Sequence, residues 1–339
     1  MTPPLVASIP RNSGEQNTGR SGMSAATGRI IERAGLSDIA HKLQCGERLH
    51  IADGLRLFDT VDLAAVGALA NRVRQSQHGD LTSFTHLTEP LLGIGIPGSG
   101  RTLSEQLQQV RRIRQEWPDA LLRGFTAGQI HDITVQTGAE PTEILQRLLQ
   151  AGLDGLGGGG TEVLHPGARR RLAHPTVPSD RWLHIHRAAH QVGLRSTATL
   201  LFGSVETPRQ RLAHLLQLRQ VQDETHGFDA FVPLKRRLDP GLPRTPREAA
   251  GADSLRTLAI SRLMLDNMPS IVAHLPMFGL GLAETSLHFG ADAVDTYPHE
   301  QGVHQMASLG SGADLAARHI IALIQRAGRV PVERDIRPA

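Results

Sequence analysis

Cysteine is almost missing: Cys45 is the only one in 339 residues. A single thiol excludes a disulfide within the chain, a CxxC zinc site and an iron–sulfur cluster held by this chain's own cysteines. Aromatic residues make up 3 %, too few for the stacking platforms that bind single-stranded nucleic acid. Lysine is nearly absent, and Lys42 and Lys235 stand among 36 basic residues that are otherwise arginine. Against them are 33 acidic residues, for a formal charge of +3. That near-balance argues against holding nucleic acid by bulk charge. No apolar run approaches membrane-spanning length, so no membrane partner is expected. Residues 1–25 carry Pro, Gly, Ser and Asn without an apolar centre. They read as a disordered tail rather than a signal peptide, and the chain as cytoplasmic.

Hydrophobic residues, at 40 %, are ample for a sizeable core. Residues 26–78 read as a helical preamble, with apolar residues at helical spacing over Asp38–His41 and Leu63–Arg74. Asp59 or Thr60 is the expected cap of the second stretch. Beyond it, short apolar runs alternate with amphipathic ones. The expected strands are Leu91–Ile96, Leu121–Thr126, Leu153–Leu156, Ser196–Gly203, Asp229–Leu234, Ser270–Pro276 and Ala291–Asp295. The expected helices are Leu103–Gln115, Pro141–Ala151, Asp180–Val192, Pro208–Asp223, Ser254–Asn267, Leu280–Phe289 and Ala313–Ala327. Such alternation predicts parallel strands joined by right-handed crossovers, an α/β fold. We expect a (β/α) partial TIM-type barrel over 79–335. An open dinucleotide-binding sheet fits less well, because "GIGIPGSG" (Gly93–Gly100) is no GxGxxG with an acidic residue downstream.

A barrel places its chemistry where strands end. That converges His86, Ser99, Thr126, Glu162, His165, Glu206, Lys235, Arg236, His274, Asp295, His299 and Glu300. "GLGGGGTEVL" (Gly155–Leu164) is the most specific local signal. A glycine run at a strand end lets backbone approach a ligand and leaves amides for carboxylate or phosphate oxygens. The alternative is a flexible turn with a solvated Glu162. In "ATLLFGSVETP" (Ala198–Pro208), Glu206 either points into the mouth or caps the next helix. "AVDTYPHEQGVHQM" (Ala293–Met306) puts Asp295, His299 and Glu300 in one cluster able to move protons. Lys235 and Arg236 follow a strand and suit an anionic substrate. His186 and His190 lie one helical turn apart, a spacing that can bind metal, but an outer helix of a barrel favours structural histidines. No metal ligands are assigned.

Several stretches resemble aminofutalosine synthase, the radical SAM (S-adenosylmethionine) enzyme of the futalosine route to menaquinone. They are "ERLHIADGLRLFDTVDLAAVGALANRVRQSQHGD", "AGLDGLGGGGTEVL", "RWLHIHRAAHQVGLRSTATLLFGSVETP", "LRQVQDETHGFDAFVPL", "AISRLMLDNMPSIVAH", "HFGADAVDT" and "RAGRVPVERD". The resemblance runs from Ile31 to Asp335. It implies a partial (β/α) barrel binding SAM and an aryl carboxylate. By position, Gly93, Gly95, Gly203 and Glu206 would flank SAM, and Gly157, Gly158, Gly159 and Glu162 would line the same mouth.

One departure bears on the chemistry. The family has a CxxxCxxC loop after its first barrel strand, whose three thiolates hold a [4Fe–4S] cluster. Here "HGDLTSFTHLTEP" passes almost directly to "LLGIGIPGSG", so the first β/α unit reads as truncated. Thr197, Phe202 and Ser204 stand where the family is expected to carry Asn, Tyr and His. Without a cluster no side chain supplies the electron for reductive cleavage of SAM. The expectation is a cluster-free enzyme that binds SAM or a related nucleoside, an aryl carboxylate, or both. It would do non-radical chemistry with Glu162, Glu206, His299 and Glu300 as acid–base groups. The alternative is a non-catalytic homologue that partners or regulates an intact radical SAM enzyme. A homodimer or a heteromer with a paralogue stays open.

Overall fold

The computed structural model describes residues 25–85, 102–118, 121–159, 163–171, 177–236, 251–295 and 313–334. The tail, and the expected strand Leu91–Ile96, lie outside these residues. The preamble folds as α1 (Ala25–Arg33), α2 (Ser37–Gln44), α3 (Ile51–Asp59) and α4 (Leu63–His78). Asp62, not Asp59 or Thr60, caps α4: its carboxylate accepts from the Ala65 amide at 3.0 Å. Asp59 is instead the last residue of α3, and Thr60 closes it.

The barrel follows as β1 (Leu81–Phe84), α5 (Leu103–Glu116), α6 (Ala127–Thr137), α7 (Pro141–Ala151), β2 (Gly155–Leu156), α8 (Pro166–Arg169) and α9 (Ser179–Gln191). Then come β3 (Arg195–Phe202), α10 (Pro208–Thr225), β4 (Phe228–Lys235), α11 (Gly251–Met264), β5 (Val272–His274) and α12 (Leu275–Ser286). The chain ends its described part with β6 (Ala293–Asp295), α13 (Ala313–Arg326) and β7 (Val330–Glu333). The expected helices recur within a few residues at each end. α5 shows why: Thr102 and Glu105 form a reciprocal capping box, and Leu103, Leu107, Val110 and Ile113 put one apolar stripe into the core. α12 starts five residues before the expected Leu280, directly after β5, because Pro276 fits a first turn. Gly279, at φ 71° and ψ 165°, breaks it near its start.

Every strand pairing among the described residues is parallel. β2, β3 and β4 form one run, and β5, β6, β1 and β7 the other. The Phe231–Ile271 bridge joins β4 to β5. The expected strand Leu121–Thr126 is reduced to one bridge, Arg123 to Gly155, at the edge beyond β2.

Two apolar layers result. The larger lies between the strands and the helices, and holds Trp182, Phe202, Phe228 and Phe231. The smaller fills the barrel interior: Ala230, Val232, Leu234, Val272 and Ala293, with Leu201 and Met277 against them. The preamble is tied to the barrel by a buried charge pair. Arg262 of α11 meets Asp292, and donates to Gly290 O and to Gln77 Oε1 of α4, each at 2.9 Å. Asp292 also accepts from Ile271 N at 2.7 Å and Ser270 Oγ at 2.8 Å. Burial opposes its ionisation, but Arg262 and these donors hold its carboxyl below the usual range.

Candidate functional site

The mouth is built from the C-terminal ends of the strands. On one side is the glycine run. One amide and two carbonyls of the run are engaged within the fold. Gly157 N donates to Phe125 O at 3.1 Å. Gly158 O accepts from Thr199 Oγ1 at 2.5 Å, and Gly159 O from Trp182 Nε1 at 3.3 Å. Gly158 is needed for packing, since a Cβ there would lie 2.5 Å from Thr199 Cγ2 and 2.7 Å from Thr197 O. Gly157 faces no such crowding; the nearest heavy atom to its Cβ would be 3.9 Å away. Past the run, Leu164 N donates to His214 Nδ1 at 3.0 Å and Leu164 O accepts from Ser179 Oγ at 2.6 Å. His214 then donates from Nε2 to Thr199 O at 2.9 Å. Burial takes that imidazole down to about 3, so it is neutral.

Glu206 occupies the turn after β3. Its Oε1 accepts from Gly203 N at 2.6 Å and its Oε2 from Ser204 N at 2.9 Å. Arg211 of α10 pairs with it at 2.9 Å and also meets Asp253 at 2.8 Å. Gly203 has φ +84°, a left-handed turn that glycine makes without penalty. Glu206 therefore shapes the loop beneath the mouth, rather than presenting an open carboxylate to it. Thr207, and not Glu206, caps α10.

At the end of β4, Lys235 is in register with Phe202, whose ring packs on Arg211 in the helix layer. Lys235 thus falls on the outward row, away from an anionic substrate in the lumen. Arg236 is exposed and donates to Ser204 Oγ at 2.7 Å. On the opposite wall, β5 and β6 end in His274 and Asp295, which are register partners. Val272 and Ala293, two residues earlier on each strand, belong to the interior cluster, while Ala273 and Val294 belong to the outer one. Strand alternation therefore turns His274 and Asp295 into the lumen.

His186 and His190 are structural. Ser196 Oγ lies 2.8 Å from His186 Nδ1 and 2.7 Å from His190 Nε2, and His190 Nδ1 lies 2.7 Å from Thr225 Oγ1. No group of three His, Cys, Asp or Glu able to hold a metal occurs among the described residues. His165 caps the short α8. Glu162, His299, Glu300, Gly93 and Gly95 lie outside the described residues, as do His86 and Ser99. Sequence reading missed Thr199 and His214 as organisers of the glycine run. The signal available was strand parity: Thr197, Thr199 and Leu201 alternate with the outward Ala198, Leu200 and Phe202.

Parallel strands around an apolar lumen, with polar residues at the strand ends, define a TIM-type (β/α) partial barrel. No protein-family model matches the chain. It is 33 % identical to the aminodeoxyfutalosine synthase of Thermus thermophilus, over 91 % of this chain and 96 % of that protein. It is 31 % identical to the aminodeoxyfutalosine synthase of Streptomyces coelicolor, over 90 % of this chain and 94 % of that protein. Among solved structures, methylornithine synthase covers 87 % of this chain and 97 % of its own with a TM-score of 0.59, at 15 % identity. The chain belongs to the aminodeoxyfutalosine synthase family of the radical SAM superfamily. Among the described residues no helix is long and apolar enough to cross a membrane.

Proposed function

We propose that this chain is a cluster-free member of the family, an enzyme that binds SAM or a related adenine nucleoside, an aryl carboxylate, or both, at the barrel mouth and carries out polar chemistry. The observation that carries the reading is the donor count. A [4Fe–4S] cluster is held by cysteine thiolates, and the chain has Cys45 alone. Cys45 is exposed at the end of α2, in the preamble. The residues present do not fit the cluster, and no step is routed through one. The length of the match supports an internal truncation: it runs over 360 positions, more than the 339 residues of this chain. The relative therefore carries positions with no counterpart here.

The mouth suits such ligands. An apolar floor of Leu201, Val232, Leu234 and Val272 lies under polar strand ends, the usual make-up of a small-molecule site. Gly203 and the Glu206-held turn, with Gly157 to Gly159 beside them, are the backbone offered to a nucleoside. Glu162, His299 and Glu300 remain in the proposal as acid–base groups, with Glu206 positioning the loop. Iron and sulfide analysis, together with calorimetry against SAM, adenosine and benzoate, tests the reading. The expected result is no stoichiometric iron or sulfide and saturable binding of at least one probe. Stoichiometric iron and sulfide in the isolated protein would overturn it.

A second reading, a non-catalytic partner of an intact radical SAM enzyme, is favoured by one observation. Glu206, Gly157 N, Gly158 O and Gly159 O are all committed to internal bonds. Absence of binding to all three probes would move the proposal to that reading. Light scattering of the chain mixed with a family enzyme would then show a complex.

A further inference from the structure

The register of the strands sorts the lumen into rows. Ser83 of β1, Ala293 of β6 and Val272 of β5 are partners in one row, and Val332 of β7 is the partner of Ser83 on its other side. Ala293 and Val272 belong to the interior cluster, so Ser83 and Val332 face the lumen with them. Arg334 prolongs β7, since its amide donates to Phe84 O at 2.8 Å. Two residues past Val332, it sends its side chain to the same side. The bonds of its guanidinium agree. Nη2 donates to Ser83 Oγ at 3.2 Å and to Ser270 Oγ at 3.1 Å, and Ser270 stands two residues before Val272. A half-buried arginine therefore reaches across the inner face of the barrel from the end of β7 to the start of β5. It belongs to "RAGRVPVERD", a stretch to which sequence reading gave no chemical role.

Its neighbours give this cation no counter-charge. Ser83 and Ser270 are neutral, and Ser270 already donates its own hydroxyl to Asp292 Oδ2 at 2.8 Å. Asp292 in turn is paired with Arg262. Glu333, next in the chain, is in register with Phe84 and lies on the outward row. Asp295, at the end of β6, is not bonded to Arg334 either. Among the described residues Arg334 makes no ion pair, and its Nε and Nη1 donate to nothing in the fold. Two hydroxyls thus hold the guanidinium by one nitrogen and leave the N–H groups of the other two without an acceptor.

We propose that Arg334 is the anion anchor of the lumen. It takes the carboxylate of a ligand whose apolar body lies on Leu201, Val232, Leu234 and Met277. The ligand class rests on the function proposed above, and of its two candidates the aryl carboxylate is the one that Arg334 selects. A guanidinium already fixed by Ser83 and Ser270 has its remaining donors aimed before the ligand arrives, and charge-assisted bonds to a carboxylate are the strong ones that arginine makes. The apolar surround strengthens the attraction, because little water screens it. The role is recognition alone; no bond is made or broken at Arg334. It is the one that the sequence reading had given to Lys235, which the register turns outward.

The test is calorimetry on the full chain with benzoate, benzamide and adenosine. Benzamide keeps the ring and loses the charge. The wild type is expected to bind benzoate about tenfold or more tightly than benzamide, the size of a hydrogen-bonded contact to a charged group. In R334Q benzoate should weaken to the level of benzamide, with benzamide itself unchanged. R334K keeps the charge and loses the planar set of donors, so its benzoate affinity should fall between the two; the same comparison is made with R334K alone where R334Q does not fold. An arginine that only clips β7 to β5 would on removal weaken all the probes together or none of them, and either result overturns the anchor. A wild type that binds benzoate no better than benzamide, or not at all, overturns it too. In each of these cases adenosine binding by the wild type leaves the proposed function standing, whereas a wild type that binds none of the probes overturns both.

Discussion

Both carboxylate oxygens of Glu206 are occupied by the amides of Gly203 and Ser204, and Arg211 closes the arrangement from α10. Single-residue reasoning expected a carboxylate in the mouth or a helix cap, and neither picture includes a glutamate spent on its own turn. The turn needs it: two successive amides at a strand end have no ladder partner and would otherwise be left unpaired in a half-buried loop. Removing the side chain frees those amides and deprives Arg211 of one of its two carboxylates. Glu206→Ala is expected to cost about 3 kcal/mol, the low end for breaking a buried pair, because Asp253 still neutralises Arg211. Urea denaturation measures this. A loss under about 1 kcal/mol, the worth of an exposed pair, would show that the loop is held by something else.

Elements were legible in the sequence where their period and caps agreed, and hidden where they conflicted. α5, α7 and α10 show both an apolar stripe and a capping residue, and were read within a few residues. α6 was missed although Thr126 and Gln129 form a capping box, because Ile130, Ile133, Thr134, Val135 and Thr137 are β-branched residues of low helix propensity. β1 was missed because "LTSF" is too short for alternation to register. β7 carries Pro331, which is tolerated because β7 lies at the edge of its sheet. Much of the candidate site was legible as residue types at strand ends. Which of them face inward was not, since that depends on register; the same rule that turns His274 in puts Lys235 out.

The segment 121–126 was read as a strand from its apolar run, yet it keeps only one bridge. Its anchor is electrostatic: Arg123 reaches Asp229 on β4 and donates to Thr197 Oγ1 at 3.1 Å, passing over Gly155 of β2. At the segment's end Phe125 is held at φ +57° while its carbonyl takes the Gly157 amide. A non-glycine residue in that region persists only when its surroundings over-determine it. Asp229→Asn should therefore loosen the edge first. Hydrogen exchange at the Gly157 amide is expected to accelerate at least tenfold, with the Val232 amide of β4 little changed. Equal acceleration at both positions would mean that the pair stabilises the whole barrel and not its edge.

At the scale of the whole molecule, buried neutral histidines join the helix layer to the central strand β3. His214 ties α10 and the segment after the glycine run to Thr199. His186 and His190 of α9 meet on Ser196. The protons in that chain can be placed. Thr225 Oγ1 donates to Val221 O at 2.8 Å, so it accepts from His190 Nδ1. His190 Nε2 then accepts from Ser196 Oγ, which in turn accepts from His186 Nδ1. An extra proton on His190 would remove the acceptor Ser196 needs. Burial holds all three imidazoles below their ordinary 6.5. His190 lies at about 4, where the Arg195 and Arg187 charges also act, and His214 at about 3; His186 lies well below 6.5.

Below pH 6.5 the unfolded chain takes up protons that the folded chain refuses, so stability falls as pH falls. The fall runs from 6.5 to about 4 for His190 and to about 3 for His214. Each fully buried histidine contributes about 1.4 kcal/mol per pH unit across its window. Asp292 adds its own loss only below its unfolded value of 3.8, since its folded pKa is lowered. The urea midpoint should therefore drop steeply between pH 6.5 and 4.5, before any carboxylate of the Arg262 pair titrates. In H190Q that slope should become shallower, even if stability at pH 7 is lower. A flat midpoint across this interval would mean that the histidine joints open or take up protons without unfolding, and that β3 is not what holds the two helices in place.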